Sequence, residues 1–229
     1  FQVGDTAQDL ALGPSGTTVV LDRLVDKSVT IHGPDGARLG EIPLAGKGFE
    51  DPSDATGVFV DDQGVWVERE HASLVRVATA DGASDEARPE VPGRPTEDGR
   101  RVVTAALGSA AEGTVLVTAF ERAELSIAWA VTVQLSRPIV QLMMLETDAA
   151  GQVYLAAEGA RERADLSVYD VALMIVRLAP DGAVSGVIEL PWTASGDEVL
   201  RPLTLGDDGA VYVMAPTATG VAVSRHTFP

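Results

Sequence analysis

Short apolar segments alternate with polar turns along the whole chain, and one apolar phrase occurs five times. Each copy begins with Val, continues with two more apolar residues and follows a turn. The copies are Val19-Val20-Leu21, Val65-Trp66-Val67, Val115-Leu116-Val117, Val153-Tyr154-Leu155 and Val211-Tyr212-Val213. They are separated by 46, 50, 38 and 58 residues. A period of about 40–50 residues with several short strands per repeat is typical of a β-propeller blade.

Each repeat divides into four predicted strands. In the first repeat these strands are Asp9–Leu12, Thr17–Leu21, Ser28–His32 and Ala37–Leu44. The turn Gly33-Pro34-Asp35-Gly36 separates the last two, and an Asp-Gly pair favours a hairpin because the turn needs positive φ. The same turn returns as Ala80-Asp81-Gly82 and Pro180-Asp181-Gly182, so a second series keeps the period. The third repeat lacks it and runs instead through Leu135-Ser136-Arg137-Pro138.

The last repeat is one strand short. It predicts strands at Pro202–Leu205, Val211–Met214 and Val221–His226, and no outer strand follows. Phe1–Val3 could supply the missing strand, which would close the ring and remove its sheet edges. We therefore predict a single all-β domain over residues 1–229, a five-bladed β-propeller whose last blade is closed by the N-terminal strand. Six blades are the alternative if a further blade lies outside this segment.

Two phrases resemble the repeats of NHL-type β-propellers. They are Ser28-Val29-Thr30-Ile31-His32-Gly33-Pro34-Asp35-Gly36 and Asp208-Gly209-Ala210-Val211-Tyr212-Val213. The resemblance rests on structural motifs, a strand after a glycine turn and a later Asp-Gly turn, and it carries no catalytic residues. It implies a propeller that binds other molecules, often proteins.

The composition excludes several classes of function. The chain has 34 acidic and 17 basic residues and a net charge of −17, which disfavours binding to nucleic acid or to anionic membranes. Its apolar runs, such as Ile139–Leu145, are far shorter than the ~20 residues of a membrane-spanning helix. There is no Cys for a disulfide or a thiol nucleophile. We predict no cofactor.

The source and location are also predicted from composition. Only two of the 17 basic residues, Lys27 and Lys47, are Lys, a bias that suggests a GC-rich bacterial genome. The chain begins at Phe1 instead of Met, from which we expect that a leader or upstream segment has been removed or left out. These features predict a bacterial periplasmic, cell-surface or secreted protein.

The long connections are predicted to emerge on one face of the propeller. They are Ala45–Thr56, Ala87–Arg101, Glu158–Asp170 and Pro191–Arg201. Long loops on a rigid scaffold are a usual place for recognition, although they can also be tolerated insertions. The loops between second and third strands lie on the same predicted face, and in four repeats they place Arg beside an acid.

We predict a partner-binding surface from these loops. Its residues are Arg23, Arg69, Arg122, Arg161, Arg163 and Trp192. Arginine forks suit carboxylates, and a loop Trp is a candidate anchor for a protein partner. The alternatives are a solvated ring of ion pairs of little energetic value and a Trp that caps the seam between blades.

Candidate catalytic chemistry is sparse. Glu68, Glu70 and His71 are weak candidates for a metal site, since carboxylates and imidazole suit transition metals. Asp61-Asp62, Asp148 and Asp207-Asp208 could suggest calcium, but Asp before Gly is ordinary turn chemistry. Lactonases of similar architecture use Asn among their metal ligands, and this chain has no Asn. The leading hypothesis is a non-enzymatic module that binds a protein, and the alternative is a metal-dependent lactone hydrolase or lyase.

Overall fold

The computed structural model describes residues 7–13, 15–69, 73–96, 98–165, 167–192, 202–217 and 220–229. The described residues form nineteen strands and one short 3-10 helix, Pro52–Asp54, and their strands make five antiparallel sheets. No helix in this part of the chain is long and apolar enough to cross a membrane. The prediction of an all-β, five-bladed β-propeller is confirmed. The chain forms two compact units, Phe1–Arg94 and Pro95–Pro229.

The first unit contains two blades. The first blade consists of β1 (Asp9–Leu12), β2 (Thr18–Asp22), β3 (Ser28–His32) and β4 (Arg38–Pro43). The second consists of β5 (Ala55–Asp61), β6 (Gly64–Arg69), β7 (Ser73–Thr79) and β8 (Glu90–Pro92). In both blades each strand pairs antiparallel with the next one along the chain. The predicted strands of the first repeat agree with the observed ones to within one residue at each end.

The second unit holds the strands of the other three blades. They are β9 (Arg94–Pro95, which contains the boundary between the units), β10 (Arg101–Ser109), β11 (Thr114–Glu121), β12 (Ser126–Gln134), β13 (Ile139–Thr147), β14 (Val153–Glu162), β15 (Val168–Leu178), β16 (Val184–Pro191), β17 (Leu203–Leu205), β18 (Val211–Thr217) and β19 (Gly220–His226). The fifth sheet has three strands among the described residues. Phe1–Val3, the predicted closing strand, lies outside the described residues.

The third blade departs from the regular strand order. Its fourth strand, β9, pairs with β10 and forms one edge of the sheet, and β12 is left at the other edge. The reason is the connection from β12 to β13, which is only the segment 135–138. That segment is too short to hold a hairpin turn and a further strand, as the missing Asp-Gly turn of this repeat indicated.

The cores lie between neighbouring blades of each unit. In the first unit, one apolar cluster joins Val19 and Ile31 of the first blade with Val58 and Val67 of the second. In the second unit, one cluster joins the third and fourth blades and another joins the fourth and fifth. Full burial of such aliphatic side chains contributes about 1.5–3 kcal/mol each, so these clusters make a rigid support for the loops.

The Asp-Gly turns form as the sequence predicts. Gly36, Gly82 and Gly182 have φ of 82°, 82° and 88°, the left-handed region that glycine adopts without strain. The preceding aspartates accept backbone hydrogen bonds: the Oδ1 atoms of Asp35 and Asp181 lie 3.0 and 3.1 Å from the amide nitrogens two residues on. These carboxylates therefore act as turn caps.

Candidate functional site

The hairpin formed by β14 and β15 extends beyond its own sheet. The two strands have 10 and 11 residues, more than any other strand in the described ranges. The inner neighbour β13 begins opposite Gly159, and the outer neighbour β16 ends opposite Ala172. Residues 160–165 and 167–171, here called the hairpin tip, consequently have their strand partners within the hairpin. Only the ends of the tip reach the neighbouring chain, where the Ala160 amide donates to the Pro138 carbonyl and the Val171 carbonyl accepts from the Trp192 amide. This projection coincides with one of the long segments predicted for recognition.

The end of the hairpin tip is a tight, hydrogen-bonded turn. The amide of Arg163 donates to the carbonyl oxygen of Ser167 at 2.9 Å. The Oδ1 atom of Asp165 accepts from the hydroxyl and the amide of Ser167, at 2.6 and 3.0 Å. These two bonds hold the pKa of the Asp165 carboxyl below its usual value, because they stabilise its charged form. Asp165 and Ser167 are thus held together near the end of the hairpin tip.

The hairpin tip presents an aromatic ring, a cation and an aliphatic side chain to solvent. Tyr169 is 37% exposed and Val168 is 61% exposed. The guanidinium of Arg163 lies over the Tyr169 ring, 4.7 Å from its centroid. Such cation–π contacts contribute about 0.5–1 kcal/mol at exposed sites. The contact therefore holds the arginine and the tyrosine together as one preformed surface.

An ion network fixes the base of the hairpin tip. Arg137, in the connection before β13, donates to the Oδ1 atom of Asp170 at 3.0 Å and to a Glu189 carboxylate oxygen at 2.7 Å. Arg161 approaches the other Asp170 oxygen at 3.3 Å. The Arg137 side chain is only 15% exposed, so its bonds are better shielded from water than those of a surface pair.

The network also shifts the titration of its carboxylates. The hydrogen bond from Arg137 lowers the pKa of Asp170. The pKa of Glu189 is lowered first by the Ser136 hydroxyl and then by Arg137. Conversely, the bonds to Asp170 and Glu189 raise the pKa of Arg137. All three groups therefore stay charged at neutral pH, and the ion pairs at the base of the hairpin tip are maintained.

Trp192 lies beside this base. Its amide donates to the Val171 carbonyl oxygen at 3.3 Å, directly next to Asp170. The half-buried indole packs against the cluster between the fourth and fifth blades, and its Nε1 atom has no partner within the described ranges. The structure thus brings three of the predicted binding residues together in the fourth blade: Arg161, Arg163 and Trp192.

The other three predicted arginines turn toward their own chain. The Nη1 atom of Arg23 donates to the Ala55 carbonyl at 3.2 Å, and that of Arg69 donates to the Gly48 carbonyl at 3.0 Å. Arg122 follows β11 in the third blade, and its amide donates to the Arg100 carbonyl at 2.9 Å. All three are only partly exposed. These contacts tie loops together, so binding by Arg23, Arg69 and Arg122 stays a prediction.

Sequence reasoning missed the residues that complete the surface. Val168 and Tyr169 fell within the predicted connection Glu158–Asp170 and were not singled out. The structure instead places them at the start of strand β15, where Tyr169 pairs with Arg161. Arg137 was noticed merely as part of a segment without a turn. A sequence signal did exist for the tip, since the chain between the second and third strands of this repeat is longer than in the others.

Of the three candidate metal ligands, the structure describes Glu68. Both carboxylate oxygens of Glu68 accept hydrogen bonds from Arg94, at 2.8 and 3.2 Å, and Oε2 also accepts from the Thr56 hydroxyl at 3.1 Å. Glu70 and His71 lie outside the described residues. Within the described ranges, no group of three or more His, Asp or Glu side chains is placed to hold a metal ion.

Comparison with known proteins supports the fold alone. No family model and no curated protein matches the sequence. The structure is similar to hydrazine synthase of Kuenenia stuttgartiensis, with a TM-score of 0.59 and 12% identity over 90% of this chain and 60% of that one. It is also similar to a putative 6-phosphogluconolactonase of Bacteroides uniformis, with a TM-score of 0.51 and 11% identity over 96% and 83%. The chain thus spans less than two thirds of the hydrazine synthase chain that it resembles.

Proposed function

We propose that this β-propeller is a non-enzymatic binding module of the bacterial envelope or extracellular space, and that it binds a protein partner through the hairpin tip and Trp192. One observation carries the proposal. The Arg163–Tyr169 stack lies on a hairpin that extends past its own sheet, and the exposed Val168, the strand neighbour of Tyr169, lies on the opposite face of that hairpin. An exposed, ordered aromatic and aliphatic surface of this kind has no role in the core of its own blade.

The residue types fit a protein partner. Tyr, Trp and Arg are enriched among the few residues that carry most of the binding energy of protein interfaces. The stack of Arg163 on Tyr169 and the turn at Asp165 restrict these side chains before any partner arrives. Each rotamer-rich side chain that is immobilised on binding costs about 0.5–1.5 kcal/mol, so a preformed surface loses less entropy.

The charges indicate which partner surface would be complementary. Asp170 already binds Arg161, whereas the Arg163 guanidinium stacks on the Tyr169 ring and has no ion-pair partner among the described residues. The partner that we propose encloses the hairpin tip: it offers a carboxylate to Arg163 and apolar surface to Tyr169 on one face, and apolar surface to Val168 on the other. The rest of the chain is strongly acidic, so this local attraction operates at short range and weakens with salt.

Site-specific photo-crosslinking tests the proposal. A photoreactive amino acid replaces Val168 in one variant and Val184, which is 51% exposed on the edge strand β16 of the same blade, in a matched control. We expect cells of the source organism to give one dominant protein adduct from position 168 and none from position 184. Equal adducts from both positions, or an adduct from position 184 alone, would contradict the proposed surface.

A further inference from the structure

The first unit contains a cavity of about 470 Å³ at the turns of its two blades. Apolar side chains line its floor, among them the buried Val19, Ile31 and Val65. Carboxylates of Asp61, Asp62 and Asp81 line it as well. Its volume lies within the range of about 300–1,000 Å³ that is usual for small-molecule sites, which are likewise mostly apolar with a few polar groups.

The cavity exists because one inward position holds a glycine. Gly40 of β4 pairs with Ile31 of β3, and Ile31 pairs with Val19 of β2, so the three residues form one row across the blade. This row faces the second blade, since Val19 and Ile31 belong to the core that both blades share. A Cβ atom on Gly40 would find nothing within 4 Å. The outer end of the row is therefore open space.

The fourth blade has an equivalent row, and there the space is filled. Gly186 pairs with Arg177 and Arg177 with Tyr154. Gly40 and Gly186 each follow the glycine of their hairpin turn by four residues. Phe228 covers this row: its Cδ1 atom lies 2.7 Å from the position of a Cβ on Gly186, and its ring centroid is 5.7 Å from that of Tyr154. The guanidinium of Arg177 lies 4.8 Å from the same ring.

The counterpart of Phe228 in the first unit is too small to fill its cavity. Val211 pairs with His226 in the fifth blade, and Val65 pairs with Ala78 in the second. Two residues further along the chain stand Phe228 in one case and Ala80 in the other. Ala80 lines the cavity. The protein thus shows, within its own repeats, that this position beside a strand glycine accepts an aromatic ring.

The rim of the cavity, formed by Asp62 and Asp81, favours the binding of a cation. Hydrogen bonds from the Thr79 hydroxyl and the Ala83 amide lower the pKa of Asp81, so this carboxylate is ionised at neutral pH. Asp62 is exposed, and in the described part of the chain neither Asp62 nor Asp81 has a basic partner. The third carboxylate, Asp61, already has a partner inside the protein, because its Oδ1 atom accepts a hydrogen bond from the Trp66 indole at 2.9 Å.

We propose that this cavity binds a small aromatic cation, an arylalkylammonium, with its ring over Gly40 and its ammonium group at Asp62 and Asp81. The ring occupies the space that Phe228 fills in the fourth blade. The negative charges of Asp62 and Asp81 attract an ammonium group and repel a carboxylate group in the same place, so the cavity should prefer ammonium ligands. This site is independent of the hairpin tip, which lies in the other unit.

Calorimetry of the whole chain with tryptamine tests the site. We expect tryptamine to bind and indole-3-propionate, which has the same ring but an anionic tail, to bind at least tenfold more weakly. Gly40→Phe, whose new side chain fills the cavity, should abolish tryptamine binding and keep the thermal unfolding transition. Equal binding of the two ligands, or unchanged tryptamine binding to Gly40→Phe, would overturn the proposal.

A second variant keeps the test decisive if Gly40→Phe fails to fold. Asp62→Asn changes an exposed side chain and should weaken tryptamine several-fold, while the uncharged 3-methylindole should bind as it does to the unaltered protein. An equal loss for both ligands would contradict the role of the charged rim. If a blocked peptide with an internal Phe-Lys pair binds and tryptamine does not, the cavity is a site for a side chain of another protein and the proposal is wrong.

Discussion

Arg94 donates two hydrogen bonds to Glu68, at 2.8 and 3.2 Å, and both side chains are almost completely buried. The guanidinium of Arg94 also lies over the Phe59 ring, 4.5 Å from its centroid. In the sequence, Glu68 precedes Arg69 and Glu70 and therefore looked like part of a charged loop, but it is the next-to-last residue of strand β6. Its contacts instead make it an internal ion pair that joins β6 to the end of the first unit.

Removal of one partner from this pair should be costly. We expect Glu68→Ala to lower the free energy of unfolding by about 3–5 kcal/mol, because it leaves the buried Arg94 charge unpaired. Glu41→Ala is the matched control, since the pair of Arg38 and Glu41 is exposed and such pairs contribute about 0–1 kcal/mol. Urea unfolding measures both. Equal effects of the two substitutions would show that the Glu68–Arg94 pair is not buried in solution.

Phe228 should stabilise the contact between the fourth and fifth blades. Phe228→Ala removes its packing on Gly186 and Tyr154, and we expect a loss of about 2 kcal/mol from partial burial and the aromatic contact. For a chain of this size the melting temperature would fall by roughly 2–4 °C per kcal/mol. Val223→Ala, at a 66% exposed position in the preceding strand, should shift it much less. Equal melting temperatures of the two variants would contradict the docking of Phe228.

The regular strands were predictable because their signals are local. Ser28–His32 alternates between apolar and polar residues and is followed by Asp35-Gly36, so both its existence and its end could be predicted from neighbouring residues. Even the exception in the third blade had a local signal, the absence of that turn. The placement of strand β9 had no such local signal, because β9 has only two residues and its place in the sheet depends on the strand with which it pairs.

The sites were less predictable, since they depend on contacts between distant residues. The charge pattern around Arg23 and Arg163 is similar, yet Arg23 binds a carbonyl oxygen 32 residues away and Arg163 stacks on Tyr169. The cavity beside Gly40 depends on the lack of a side chain at Gly40 and on the small side chain of Ala80. Small residues at two such positions indicate a cavity only when the register of the strands is known.

The titration of Tyr154 should depend on the packing of the fourth blade. Burial, followed by its hydrogen bond to Asp148, raises the pKa of Tyr154 to about 12. Because the raised pKa favours the neutral phenol, the stability it contributes is complete below the ordinary value of 10 and is lost as the pH rises through about 12. We expect absorbance at the phenolate band to show a late component that Tyr154→Phe removes. A late component that persists in Tyr154→Phe would contradict this assignment.

The base of the hairpin tip should be sensitive to acid through Asp170. Since Arg137 lowers the pKa of Asp170, this contact contributes stability above the ordinary pKa of the carboxyl and loses it as the pH falls through the lowered value. We expect Arg137→Gln to raise the pKa of Asp170 in an NMR titration of the side-chain carboxyl carbons. Asp165, whose pKa is lowered by Ser167, is the internal control and should not change. A shift of both carboxyls would indicate a general rearrangement of the hairpin instead.

The affinity of the crosslinked partner for tip variants tests the central claim most directly. The purified partner is titrated against the unaltered protein, Arg163→Glu, Tyr169→Ala and the control Arg38→Glu, which reverses an exposed arginine of the first blade. We predict that each tip variant binds at least tenfold more weakly, equivalent to about 1.4 kcal/mol or more, and that Arg38→Glu binds as the unaltered protein does. Unchanged affinity of both tip variants, or a loss confined to Arg38→Glu, would contradict recognition through the hairpin tip.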